Sequence, residues 1–113
     1  MRCAKTLIPI LLAVLLAACG VAVPAEKAAY VGEWKSEGMS LLITRDGSIR
    51  YQRMRKGAST SINAPLKAFR GDDFDVGIGP MTTTFTVSSP PRQVDGIWKM
   101  TVDGVELTRV NPP

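Results

Sequence analysis

The chain has 113 residues, 45% of them hydrophobic, and a formal net charge of +4, which is enough for one domain and too little for two. It has no histidine and only two cysteines, so the Ser/His/Asp and Cys/His catalytic arrangements are excluded and the commonest zinc and copper ligand is missing. Of 14 Lys and Arg against 10 Asp and Glu, Arg2 and Lys5 sit at the very start; the remaining twelve nearly balance the acids and leave no general footprint for nucleic acid.

In chain order, Arg2 and Lys5 precede an apolar run from Leu7 to Leu16, and Leu16-Ala17-Ala18-Cys19 closes it. A basic start, a short apolar core and small residues before a break define an export signal. The run is broken by Pro9 and falls short of the ~20 apolar residues that a spanning helix needs. The pattern resembles a bacterial lipoprotein signal. That resemblance implies a signal helix over residues 1–18, cleaved before Cys19, with a diacylglycerol on the Cys19 sulfur and an acyl chain on its new amine. It implies no cofactor beyond this covalent lipid, and a membrane partner reached through the anchor. Gly20 in place of an aspartate resembles the sorting of Gram-negative lipoproteins to the outer membrane, facing the periplasm. With Cys3 removed and Cys19 acylated, no disulfide is available to the domain.

Residues 19–29 form the expected lipidated N-terminus and linker. Small residues and Pro24 give residues 20–29 no strong period. Extended, that segment reaches roughly 33 Å, enough to lift a domain clear of the headgroups. The domain is expected over residues 30–113.

From Tyr30 the pattern has period two. Residues 30–35 read as a first strand, with Gly32 and Trp34 on one face. Met39, Leu41 and Ile43 share a face of the next, and Arg45-Asp46-Gly47 supplies a turn into residues 48–54, where Ile49 and Tyr51 oppose Arg50 and Gln52. Residues 55–60 read as a polar loop around Gly57. A fourth strand is expected over 62–69, with Pro65 pushing it toward an edge or a bulge. Gly71-Asp72-Asp73 turns the chain into an alternating run over 74–78, with Asp75 facing outward, and Gly79-Pro80 breaks it. Residues 82–88 are rich in β-branched side chains, with Phe85 and Val87 inward, and Pro90-Pro91 is expected to end that strand. Residues 97–102 and 105–110 flank Asp103-Gly104, a strong hairpin signal. Trp98, Met100 and Val102 share one face; Val105, Leu107 and Arg109 share another. The total of about eight short strands with no helix after cleavage predicts an all-β, small antiparallel up-and-down barrel.

Tyr30-Val31-Gly32-Glu33-Trp34 has the Gly-x-Trp form of the first strand of lipocalins and their calycin relatives, and over residues 30–110 the chain resembles a small lipocalin-like domain. The resemblance implies an eight-stranded barrel with Gly32 and Trp34 at its floor. It departs from larger lipocalins in its length, and it lacks their C-terminal helix and any disulfide. An eight-stranded barrel is just wide enough to fill with side chains or to hold one small ligand. Trp34, Tyr51, Phe74, Phe85 and Trp98 are expected to occupy much of that space themselves.

No catalytic constellation stands out. Asp72, Asp73 and Asp75 lack the ligand spacing of an EF-hand. Met39, Met54, Met81 and Met100 are scattered, and Met39 and Met100 fall on apolar strand faces as core filler. Neither an enzyme nor a metal site is expected. Arg45, Arg50, Arg53, Arg55 and Lys56 form a candidate basic patch, suited to anionic headgroups or simply a solvated face. The functional expectation is a non-enzymatic binding role. One form is a small apolar or lipid-like ligand at the barrel mouth. The alternative is a protein-binding module, such as a periplasmic inhibitor, an immunity protein or an envelope-assembly accessory, with residues 55–60 and 76–82 as contact loops.

Overall fold

The computed structural model describes residues 20–110; the expected signal helix, Cys19 and residues 111–113 lie outside the described residues. Nine antiparallel strands follow one another: β1 (Gly32–Lys35), β2 (Met39–Ile43), β3 (Ser48–Arg55), β4 (Ala58–Arg70), β5 (Asp73–Val76), β6 (Thr83–Phe85), β7 (Val87–Val94), β8 (Ile97–Val102) and β9 (Val105–Arg109). Their order in the sheet is β6-β5-β4-β3-β2-β1-β9-β8-β7. This is a meander in which β1 also pairs with β9, and the sheet curls into a half-barrel. The all-β, antiparallel expectation holds.

The strand count is nine rather than eight because Thr86 divides the single strand expected over 82–88. Its N–H donates to Asp103 Oδ1 at 2.9 Å and its carbonyl accepts from the Asp103 N–H at 2.7 Å. The chain thus leaves the β5 ladder for the β8–β9 turn within one residue. Pro90-Pro91 does not end the next strand, which continues to Val94. β7 is an edge strand and its register to β8 skips from Ser89 to Arg92, so neither proline is needed as a ladder donor.

The polar loop expected over 55–60 is instead a tight hairpin. Lys56 and Gly57 (φ 44° and 82°) join β3 to β4, with Arg55 opposite Ala58. Asp95-Gly96 and Asp103-Gly104 repeat the geometry, a two-residue turn with both φ positive that matches the strand twist. β4 is the long, bent strand. Its first half, Ala58 to Pro65, pairs with β3; from Leu66 onward it pairs with β5, with a register shift between Leu66 and Ala68. Pro65 thus marks the exchange of partners.

The interior is packed by the chain's own side chains. Trp34, Leu41, Ile43, Ile49, Leu66, Phe74, Phe85, Met100 and Leu107 are buried. The Phe74 and Phe85 rings stack with centroids 5.1 Å apart, and Phe85 meets Tyr51 edge-on at 5.0 Å. The expected spacer is the largest departure. Residues 20–30 lie on the domain and do not hold it at a distance. The Val21 N–H donates to the Leu66 carbonyl and the Val23 N–H to the Arg45 carbonyl, both at 3.0 Å. Two short 3-10 turns over Ala25–Tyr30, broken at Lys27, then lead into β1. Gly20 is close-packed: a Cβ there would overlap the Gly47 backbone and Pro65.

Candidate functional site

Strand direction sorts the turns onto two ends of the half-barrel. Residues 20–23, Tyr30 and the β2–β3 and β7–β8 turns occupy one, here called the N-terminal end. The β1–β2, β3–β4 and β8–β9 turns occupy the other, the hairpin end. From Ser48 to Arg55, β3 covers about 23 Å between them at ~3.3 Å per residue.

Gly32 and Trp34 lie toward the N-terminal end. The Trp34 indole is wholly buried, and its Nε1–H donates to the Tyr30 carbonyl at 2.9 Å. The Arg109 guanidinium sits 5.6 Å from the Trp34 ring centroid and 4.9 Å from that of Trp98, a cation between two aromatic faces. Its Nη1 also donates to the Val31 carbonyl at 3.2 Å. Gly32, at φ +142°, makes room for this side chain: a Cβ there would come within 2.7 Å of Arg109 Cδ. The role of Arg109 was missed from sequence, although an arginine on the apolar face of a strand was its signal.

A second cluster staples the 3-10 turns to the β4–β5 turn. The Tyr30 hydroxyl donates to the Asp72 carbonyl at 2.9 Å, and Lys27 Nζ donates to the Gly71 carbonyl at 2.7 Å while lying over the Tyr30 and Phe69 rings. Burial, aided by the charges of Asp72 and Asp73, pushes the Tyr30 phenol up to about 12. Asp75, expected to face outward, is buried. Its carboxylate accepts from the Thr84 hydroxyl at 2.7 Å and from Arg70 Nε at 2.6 Å. These two hydrogen bonds, Thr84 first, hold its pKa below the usual carboxylate value. Both oxygens are committed to this structural network.

The five residues of the candidate basic patch do not form one surface. Arg45 lies in the β2–β3 turn at the N-terminal end, and Arg50 is on the outer face of β3 beside Asn63. Arg53 and Arg55 lie on the inner side of β3 as it runs into the protruding hairpin, whose tip carries Lys56. Among the described residues none of the five enters an ion pair, so Arg53, Arg55 and Lys56 form a separate cationic group at the hairpin end.

Two hollows accompany this arrangement. An open hollow of about 340 Å³ at the hairpin end is lined by Met39, Met54 and Val105, with Glu37, Arg53 and Arg55 around it. A groove of about 330 Å³ crosses the outer face of β1 to β4 between Glu33, Ser40, Arg50, Gln52, Ser61 and Asn63. Apolar atoms ringed by guanidinium groups suit an acidic segment carrying a bulky side chain, or a small anionic amphiphile. Among the described residues no group of three or more His, Cys, Asp or Glu is placed to hold a metal ion. Cys19 lies outside the described residues. No protein-family model, curated protein or solved structure matches this chain.

Proposed function

We propose that this chain is a lipid-anchored lipoprotein of a bacterial envelope, with a lipocalin-like, non-enzymatic binding domain that takes an acidic protein partner at its hairpin end. In a Gram-negative host it belongs to the outer membrane and faces the periplasm. Support for the anchor comes from Leu16-Ala17-Ala18-Cys19. Gly32 and Trp34, against Arg109, support the lipocalin-like reading. The protein-partner reading is carried by one observation. Arg53, Arg55 and Lys56 are without ion pairs among the described residues, on a hairpin that projects past a core filled by Trp34, Phe74 and Phe85.

A deep site buries most of a small ligand's surface. The hollow at the hairpin end is open and shallow, which favours one side chain of a larger partner over an enclosed molecule. The surrounding cations steer an acidic surface toward it and set its register.

A photo-crosslinker at position 54, introduced in the native envelope, tests the reading. A discrete protein conjugate is expected, and it disappears in an Arg53→Glu, Arg55→Glu double variant with unchanged melting temperature. Native mass spectrometry of the detergent-released protein supplies the counter-result. A bound small molecule with no protein conjugate transfers the site to a small lipid-like ligand.

A further inference from the structure

The docked N-terminal segment leaves almost no slack between Cys19 and the domain. Gly20 packs against Gly47 and Pro65, and Val21 is hydrogen-bonded to Leu66. A lipid on Cys19 therefore emerges one peptide bond from the folded surface and brings the N-terminal end against the bilayer. The apolar side chains at that end are the ones water should least favour. Ile78 is 65% exposed, Met81 72% and Val21 53%, and the first two are the most exposed large hydrophobic side chains among the described residues.

They also belong together. Val21 and Ile78 line one open hollow of about 300 Å³ with Pro65, Leu66, Lys67 and Gly77. Met81 is held to Ile78 by its N–H, which donates to the Ile78 carbonyl at 3.0 Å. The loop carrying them is braced. Gly77 N–H donates to the Pro65 carbonyl at 3.0 Å, and Lys67 Nζ donates to the Gly79 carbonyl at 2.7 Å and to the Thr82 hydroxyl at 2.8 Å. A fixed loop that presents apolar side chains is pre-ordered to enter an interface, with no entropy of folding to lose on arrival. Lys67 adds positive charge beside it, which favours anionic headgroups. The β7–β8 turn, with exposed Val94 and Ile97, closes the same end of the sheet.

We infer that the loop over residues 77–82, together with Val21, is a membrane-contact surface: Ile78 and Met81 enter the headgroup–acyl boundary of the bilayer that holds the Cys19 lipid. The inference rests on the lipid-anchor reading. It gives the tethered domain one orientation, with the Arg53–Arg55 hairpin directed away from the membrane.

The test uses the full-length gene product, processed in its host and reconstituted in phosphatidylethanolamine–phosphatidylglycerol vesicles. Single Ile78→Cys, Met81→Cys and Met54→Cys variants carry an environment-sensitive fluorophore, and nitroxide lipids act as quenchers. Labels at 78 and 81 are expected to be blue-shifted and quenched several-fold more than the label at 54. Equal, water-like emission at 54, 78 and 81 overturns the inference and leaves the anchor standing. The mass of the N-terminal peptide from the same samples separates the two readings: an unmodified Cys19 overturns both.

Discussion

Trp34→Ala tests whether the half-barrel depends on its single most buried indole. The side chain is 0% exposed, donates to the Tyr30 carbonyl at 2.9 Å and lies under Arg109. Truncating a buried aromatic side chain to alanine costs about 3–5 kcal/mol, and most of that reflects lost packing and the cavity left behind. A domain of this size shifts its melting temperature by about 4–8 °C per kcal/mol, so the variant should melt on the order of 20 °C lower. Trp34→Phe separates packing from hydrogen bonding. It retains most of the ring and leaves the Tyr30 carbonyl without its donor, for a loss of about 1–3 kcal/mol. The assay is thermal and urea unfolding of the chain from residue 19, carrying Cys19→Ser, followed by circular dichroism. The expected order of stability is parent, Trp34→Phe, Trp34→Ala. A Trp34→Ala protein within about 1 kcal/mol of its parent refutes the packing role assigned to the indole.

Three further outcomes follow from individual contacts. Gly47→Ala places a Cβ at φ +90° against the Val21 carbonyl; it should cost about 1–2 kcal/mol of backbone strain and speed protease cleavage within residues 20–25, whereas an unchanged digest contradicts the docking of that segment. The folded-state pKa of Asp75 is held below its ordinary value of 3.8, so its stabilisation is present above that pH and fades as acid carries the solution down through the folded pKa. Asp75→Asn should therefore flatten the acid limb of the stability profile, and an identical limb argues against the Thr84–Asp75–Arg70 network. Tyr30 resists ionisation up to about 12 against an ordinary 10.0, so stability should begin to fall as pH rises past 10 and continue falling to about 12. Tyr30→Phe should remove that part of the alkaline loss, checked by unfolding across the same range.

Much of the sheet was readable where one strand face meets the core. Met39, Leu41 and Ile43 in β2, Ile49 and Tyr51 in β3, and Met100 and Val102 in β8 alternate cleanly because their opposite faces meet water. Asp103-Gly104 marked a hairpin turn through two positive φ angles, and Asp46-Gly47 marked one through Gly47 alone. The β3–β4 hairpin was hidden because Ala58, Ser59, Thr60 and Ser61 are exposed, so no apolar alternation announced the start of β4. Pro90-Pro91 misled because an edge strand tolerates what a central strand does not. Docking of residues 20–30 left no periodic trace, since it uses backbone hydrogen bonds and the small size of Gly20 and Gly47. The basic patch is one cluster by sequence proximity alone. A strand pleat and a length of eight residues separated Arg50 from Arg53, and Arg45 from the hairpin.

The most direct test of the lipid-anchor account is the mass of the N-terminal peptide of the protein extracted from host membranes. The account predicts a chain beginning at Cys19, carrying a diacylglycerol on sulfur and an acyl group on nitrogen. A chain that retains Met1 to Ala18, or a Cys19 with a free thiol in the aqueous fraction, contradicts it.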